Sequence, residues 1–521
     1  MAVLQDLIKT QPDWHNVINA NNAIVGDSLV LAADVTYDAG DDAYIVSIRN
    51  LPPNIAAGVP ATLPETFSIR CRMPNDYQAG ASFRIGSVDF APQGAGFTAG
   101  DVTTINFDRI ANQAFFSAGM DLTRASQESV DRVSEKLEVA KRDIEAILRR
   151  VTPVIPVNAR MGVAWNFTNP SPALVRLDDA VGLVATSGIG TAQGFSDFDE
   201  MPIYRDIRRC NLDVNGNVTA YEGQEGFTYT NADVMVEIPQ FFYRVEQDTT
   251  QRREWISNQP MSGFAVHPAF ARPWGNVPFI YIGAYETGAG HVSRSGLAPL
   301  VSITRAAFRT GARGKGTIWS VQDLTSRMAL GLLIRIEFAH MNTQQVIGGG
   351  NTATADALAT GRTNSIIGTG REAGVNPNGL SVVWRGIENP YGNVWEFVDG
   401  YNVNAGVHMF ANDPVNYADD TATNYAPIAI SLPASGSGTF ATRLGFDPAQ
   451  PWAGLPSSVT GGSETTFLSD AFWFNAAGWR LTFVGGHWFN AGGAGLFAWA
   501  VNNDSSHMGT TLGARLLCIP R

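Results

Sequence analysis

Charge is scarce in this sequence: only 16% of its 521 residues are Asp, Glu, Lys or Arg. Long helical bundles need charged outer faces, so so few charges, beside 53 Gly and 27 Pro, point to turn-rich β architecture instead. Basic residues are the scarcer sign, 36 Lys and Arg against 48 Asp and Glu for a net charge of -12. That balance argues against nucleic acid as a partner, because phosphate contacts need clustered cations. Cysteine is nearly absent. Cys71, Cys210 and Cys518 are far apart and share no CxxC spacing, which speaks against a zinc site or a disulfide framework. No apolar run reaches bilayer length; the best, residues 328–338, is interrupted by Arg335 and Glu337, so no membrane insertion is expected. The start Met1-Ala2-Val3-Leu4-Gln5-Asp6 lacks a basic stretch leading into an apolar one, and no signal peptide is expected.

What is present divides the chain in three. Residues 1–118 carry short strand-like runs at 28–35, 43–48, 82–88 and 103–107, separated by Gly, Pro, Asn and Asp. They predict a small β-sandwich or barrel. Residues 119–153 hold the clearest periodicity. Val130, Val133, Leu137, Ala140, Ile144, Ile147 and Val151 recur at alternating spacings of three and four, and Pro153 ends the pattern. One amphipathic helix packed on its own domain would show the same stripe. The stricter reading is a short parallel coiled coil with Val130, Leu137, Ile144 and Val151 at one seam position and Val133, Ala140 and Ile147 at the other. β-Branched residues at the second position favour trimers or tetramers over dimers. From 123 to 151 the rod would be roughly 40 Å long. Residues 154–521 are Gly- and aromatic-rich, with a short helix expected at 302–310 and a longer one opened by a capping-box-like Ser320-Val321-Gln322-Asp323 and running to about 341. Residues 348–370, rich in Gly, Thr and Ala, predict a surface loop.

Several familiar motifs fail on inspection. Asn211 to Glu222 has the length of an EF-hand loop but starts with Asn and contains the β-formers Val214, Val218 and Tyr221, so an Asn-Gly hairpin is the better reading. Gly311 to Gly316 lacks the spacing of a P-loop, and the seven histidines include no HExxH pair. No metal site or cofactor is expected.

The most specific string is Gly386-Ile387-Glu388-Asn389-Pro390-Tyr391-Gly392-Asn393-Val394-Trp395-Glu396-Phe397-Val398-Asp399-Gly400. It resembles the signature of the formylglycine-generating-enzyme variant of the C-type lectin fold. Val236 to Arg244, Gly263 to Phe270 and Ile282 to Glu286 resemble further signatures of the phage tail-fibre relatives of that fold. So do Gly478-Trp479-Arg480, Gly485-Gly486-His487-Trp488, Ala494-Gly495-Leu496-Phe497 and Gly513 to Leu517. The C-terminal run also resembles the variable region of lectin-fold proteins diversified by retroelements. The resemblance covers about 155–521 and not 1–118. It implies a C-type-lectin-like domain over 154–521 used for binding, on a phage fibre or spike. Enzymatic oxidation is not implied: that chemistry uses a pair of late cysteines, and only Cys518 stands there, in an apolar run.

The expected organisation is therefore mainly β with an α+β part: an N-terminal virion-attachment domain, a trimerising stalk and a lectin-like head. Its partners would be two further copies, virion proteins and a host cell-surface receptor. A polysaccharide depolymerase and a structural capsid-decoration fibre are the competing readings. Strand alternation would turn Phe497, Trp499 and Val501 to the core and Ala498, Ala500 and Asn502 outward. Trp395, Trp479 and Trp488 read as packing residues, and Arg515 as a structural hydrogen-bond donor. The candidate ligand contacts are His487, Phe489 and Asn490 on one segment and Asn502, Asn503, Asp504, Ser506 and His507 on the next, with Trp473 and Asn475 beside them. Two such segments flanking one strand should have tips close together. Asn and Asp side chains can pair with sugar hydroxyls or peptide groups, and an exposed ring can stack.

The heptad reading makes a direct prediction. Ile144→Asp with Ile147→Asp would bury charge in the seam and should dissociate the assembly. Light scattering on wild type and variant checks it, and a monomeric wild type would refute the seam.

Overall fold

The structure is a computed structural model. It describes residues 158–521 except Ala434, together with the backbone of eight strands between Ala23 and Ser117. Two compact units divide at Ile147 and Leu148. The heptad residues Val130, Val133, Leu137, Ala140, Ile144, Ile147 and Val151 lie outside the described residues, as does the expected stalk at 119–153. Throughout the described residues the chain is mainly β with few helices.

In the first unit the strands form one eight-stranded sheet. Its order is Ala23–Val25, Ser28–Asp38, Ala43–Ile48, Ser82–Ile85, Val88–Gln93, Gln113–Ser117, Val102–Asp108 and Thr66–Arg72. Ser28–Asp38 also pairs in parallel with Thr66–Arg72 through Val30 to Ala32. The single strand expected over 82–88 is a hairpin instead, with Phe83 opposite Phe90 and Ile85 opposite Val88.

In the second unit a six-stranded antiparallel sheet runs Val218–Tyr221, Arg208–Leu212, Asp233–Pro239, Phe279–Glu286, Arg515–Cys518, Trp319–Val321. The C-terminal strand thus inserts between two strands from the middle of the chain. The EF-hand-like segment is the expected hairpin: the Asp213 carboxylate accepts the Asn215 and Asn217 N–H groups at 2.9 Å, and Gly216 takes φ 80°. A five-stranded sheet has the order Val175–Asp178, Arg160–Asn166, Gln251–Ser257, Phe242–Gln247, Ala265–Val266.

Helix α1 spans Arg305–Arg313 and α2 spans Leu324–Phe338. The capping box read from the sequence for α2 was three residues early. Trp319-Ser320-Val321 is a strand, paired with Leu516 to Cys518, and the capping box is formed by Asp323 with Ser326. All fifteen residues of α2 are buried. That includes Arg335, whose guanidinium meets Glu254 at 2.7 Å, and Glu337, which accepts from Trp384 Nε1 and from Arg385, each at 2.7 Å. The charges that excluded a membrane span are therefore interior, and each is paired. Among the described residues no helix is long and apolar enough to cross a membrane.

Much of the second unit is irregular backbone buried against these elements, and its carbonyls need donors. Buried arginines supply them. Arg515 donates to Gly283 O, Glu388 O and Asn389 O at 2.8–3.0 Å, while its Nε reaches Glu396 at 2.8 Å. Arg305 donates to Val398 O and Tyr401 O, and also pairs with Asp419. Arg327 donates to Pro390 O and Leu496 O. Arg515 thus plays the structural role its position suggested. Residues 348–370 are likewise less of a surface loop than expected. Asn351, Thr352, Thr360 and Thr363 are buried, and the Glu388 carboxylate clamps the Gly361 and Thr363 N–H groups at 2.7 and 2.8 Å.

Removing one partner of a buried pair strands the other. Arg515→Met should therefore destabilise the fold by about 3–5 kcal/mol, leaving Glu396 and three carbonyls without their donor. Denaturant unfolding of the variant beside wild type measures it.

Candidate functional site

A second six-stranded sheet positions the candidate residues. Its order is Ser435–Phe440, Ala471–Asn475, Trp499–Val501, Phe483–Val484, Trp395–Phe397, Leu512–Gly513. Ala500 lies opposite Trp473 on one side and Phe483 on the other, and Phe483 lies opposite Phe397. Cross-strand partners share a face, so Trp473, Ala500, Phe483, Phe397 and Trp395 form one surface. Phe472, Phe474, Trp499, Val501 and Val484 form the other, which joins the main core.

This corrects the expected outward face of the strand. Phe497, Trp499 and Val501 are buried as read, but Ala498 and Ala500 are buried too, at 0% and 2% exposure. The strand is internal to its sheet, and the rings of Trp473 and Phe483 close over its small residues. Only Asn502, past the strand's end, is partly exposed.

The two loop segments also do not emerge side by side. Phe483–Val484 and Trp499–Val501 are antiparallel, so residues 487–490 leave at one end of the pair and 502–507 at the other. Asn475 and Asn502 do share an end, because Phe474 pairs with Val501 in parallel. A row of rings spans the distance between the two ends. Trp488 packs on His487 (centroids 5.3 Å apart), His487 on Trp395 (6.5 Å), Trp395 on Phe483 (5.4 Å) and Phe483 on His507 (5.9 Å, stacked). Trp473 meets Trp395 edge-on at 5.4 Å. Trp395 and Phe483 are the buried floor; Trp473, His487, Trp488 and His507 are partly exposed. Phe489 stands out at 72% exposure. Of the three tryptophans read as packing residues, Trp395 is buried, whereas Trp479 and Trp488 are partly exposed.

The polar candidates are mostly engaged locally. Asn490 Oδ1 accepts the His487 N–H at 2.8 Å and the Asn490 N–H returns to His487 O at 3.0 Å, closing a tight turn. This turn needs Gly486, whose φ is 79° and where a Cβ would lie 2.6 Å from that of Ala494. Asn490 is therefore a structural residue of the loop, and its truncation would loosen the turn. His487 Nδ1 accepts the Phe489 N–H at 3.3 Å, and burial lowers the ring's pKa to about 4. The imidazole is thus neutral at neutral pH and offers Nε2–H outward as a donor. Asn503 donates to Asn502 Oδ1 at 2.9 Å. The Asp504 carboxylate accepts the Ser506 hydroxyl at 2.6 Å and the Ser506 N–H at 3.0 Å, which holds its pKa down. Asn475 Oδ1 accepts the Ala477 N–H at 2.9 Å. The arrangement offers an aromatic surface edged by amide and carboxylate groups, suited to stacking on sugar rings or apolar side chains. Among the described residues no group of three or more His, Cys, Asp or Glu is placed to hold a metal ion.

No protein-family model matches this chain, and no curated protein does. Solved structures similar to it include two variants of the Major Tropism Determinant. The P3c variant is 12% identical with a TM-score of 0.25, over 68% of this chain and 82% of that one. The U1 variant is 12% identical with a TM-score of 0.24, over 80% and 92%. Likeness at this level fixes neither the fold nor any correspondence between residues.

Two further segments adjoin the site. Asp420 accepts a hydrogen bond from Ser505, in the middle of the second segment. The loop after Gly350 lies along the first: the Thr354 N–H donates to Trp488 O and the Ala491 N–H to Thr352 O, at 2.8 and 2.7 Å. Neither has a local signal, because both contacts join residues more than 80 positions apart. The 386–400 motif lies inside rather than at the surface. Asn393, at φ 61°, accepts the Asn351 side-chain N–H and the Leu358 N–H, and donates to Glu286 Oε2 at 2.7 Å. Glu286 Oε1 is buried and accepts no hydrogen bond; neither does Glu396 Oε2, which lies 3.9 Å from Arg327. Burial, with the negative charge of Glu396 adding to it, raises the Glu286 pKa well above 4.5.

A raised pKa means that the folded state holds the proton more tightly than the unfolded one. The stabilisation is full below pH ~4.5 and is lost as pH rises through the folded value. Glu286→Gln keeps the shape and the acceptor for Asn393 but removes the titration. Its unfolding midpoint should change less with pH above ~4.5 than that of wild type, giving a variant more stable than wild type under alkaline conditions. Chemical denaturation across a pH series reads both slopes.

Proposed function

We propose that this chain is a receptor-binding fibre or spike protein of a tailed bacteriophage, a homotrimer that meets a host cell-surface glycan or protein through a lectin-like head formed by residues 154–521. Residues 1–118 would attach it to virion proteins and 119–153 would form the stalk. The observation that carries the binding role is the exposed Phe489 ring at the end of the row Trp488, His487, Trp395, Phe483 and His507. A large exposed ring on a turn fastened by its own backbone has no folding role, and contiguous partly exposed aromatics mark contact surfaces. The phage assignment is supported by the resemblance of 386–400 and the C-terminal signatures to tail-fibre lectin-like domains.

A binding module rather than an oxidase is supported by the cysteines. Cys518 is fully buried, and burial pushes its thiol up to about 12, far from the thiolate that redox chemistry needs. Three copies of a weak site would gain avidity without any new contact.

Phe489→Ala should lower adsorption of the purified protein to host cells by roughly 2- to 12-fold per site, the equivalent of losing a ring contact worth about 0.5–1.5 kcal/mol. Its thermal melt should stay within about 0.5 kcal/mol of wild type, since the ring is exposed. Competition of variant and wild type for phage adsorption gives the readout. Wild-type binding by Phe489→Ala and Trp488→Ala alike would place the receptor site elsewhere, and release of reducing sugar from host polysaccharide would favour the depolymerase reading.

A further inference from the structure

Five of the eleven large apolar side chains exposed among the described residues fall between Val175 and Phe195, a stretch of only 21 residues. Val175 is 67% exposed, Val181 65% and Val184 51%. Two of these valines project from a fastened turn. The Val181 N–H donates to Asp178 O at 3.0 Å and the Leu183 N–H to Ala180 O at 3.2 Å. Ala180 is fully buried and Leu183 packs against the main core, so Val181 and Val184 are turned outward between these anchors. Val184 is held in turn by Asp197, which accepts its N–H at 2.7 Å and donates its own N–H to Val184 O at 2.9 Å. A solvated turn needs no apolar tip, and rigid exposed valines raise the question of what covers them.

The position of the turn answers it. Val175–Asp178 is the edge strand of the five-stranded sheet, paired with Arg160–Asn166, the first strand among the described residues of the second unit. The Asp179 N–H donates to Arg160 O at 3.0 Å, and the Asp179 carboxylate accepts the Arg160 N–H at 2.7 Å. The apolar turn therefore abuts the point where the chain enters this domain. Only seven residues separate Val151, the last seam residue, from Ala159, a reach of at most about 27 Å even when fully extended. In a closed threefold assembly, surfaces beside the axis from which all three chains emerge face one another.

We infer that the surface of Val181 and Val184 is a contact between copies of this chain, packing the heads together at the base of the stalk. The inference rests on the trimer reading above and extends it from the heptad segment to the head.

The test uses the full-length chain in a dilution series followed by size-exclusion chromatography with light scattering. Wild type is compared with Val181→Asp/Val184→Asp, with Val181→Ser/Val184→Ser, and with Val375→Asp as a control on another fully exposed valine. The double Asp variant should dissociate at a concentration at least ~10-fold higher than wild type, because two apolar side chains would be lost from each contact and replaced by charge. The Ser variant should move the same way by a smaller factor, and it carries the test should the Asp variant fail to fold. Val375→Asp should behave as wild type. A trimeric wild type with folded 181/184 variants that dissociate at the wild-type concentration overturns this inference and leaves the trimer reading standing. A wild type that is monomeric at every concentration overturns the trimer reading and this inference with it.

Discussion

The second unit depends on guanidinium groups in its interior. Its strands are short, several of only two or three residues, and long irregular segments are buried between them. Regular ladders cannot satisfy the carbonyls of such backbone, and leaving them unpaired would be costly. Buried arginines on strands and helices donate to several of these carbonyls at once, and each guanidinium charge is balanced by a carboxylate in the same interior. Arg309 with Asp399, Arg272 with Asp323, and Arg335 with Glu254 all meet at 2.7–2.8 Å. Few residues are charged, yet many of those charges are inside.

The balance is not complete everywhere, and the imbalance is informative. Around the 386–400 motif, the carboxylates of Glu286 and Glu396 face Arg515, the charge of Glu388 adds to theirs, and one oxygen each of Glu286 and Glu396 accepts no hydrogen bond. Burial raises the pKa of Glu286 as a result, and Asp470 is raised in the same way beneath Phe497. The motif that identifies the family resemblance is thus a bracing element. Its Asn393 ties the 351–358 loop to the sheet, its Tyr391 hydroxyl reaches Gly348 O at 2.6 Å and its Glu396 holds Arg515. The exposed aromatic loops stand on this braced interior, which is how an irregular surface is kept in one conformation.

Some of this was legible in the residues alone. The β-rich character, both helices, the 211–222 hairpin, the buried Cys518 and the structural role of Arg515 follow from local pattern and composition. Helix α2 shows where legibility ends. Its apolar run was plain, but its start was misread because Ser320-Val321-Gln322-Asp323 and Asp323-Leu324-Thr325-Ser326 both offer cap-like spacing. Pairing of Trp319–Val321 with the C-terminal strand decided between them.

The candidate loops divide in the same way. Their composition named His487, Phe489 and the 502–507 segment as surface, and alternation placed Trp499 in the core. Composition could not tell that Ala498 and Ala500 would also be covered, since that requires Trp473 and Phe483 to arrive from strands on either side. Nor could it tell that an antiparallel pairing sends the two segments to opposite ends, joined only by a row of rings. The sequence by itself determined periodicity, turn chemistry and residue type, which act over a few positions. Which faces are covered, which charges meet and which loops share a surface were decided by the tertiary structure, because those contacts join residues far apart in the chain, such as Gly283 and Arg515.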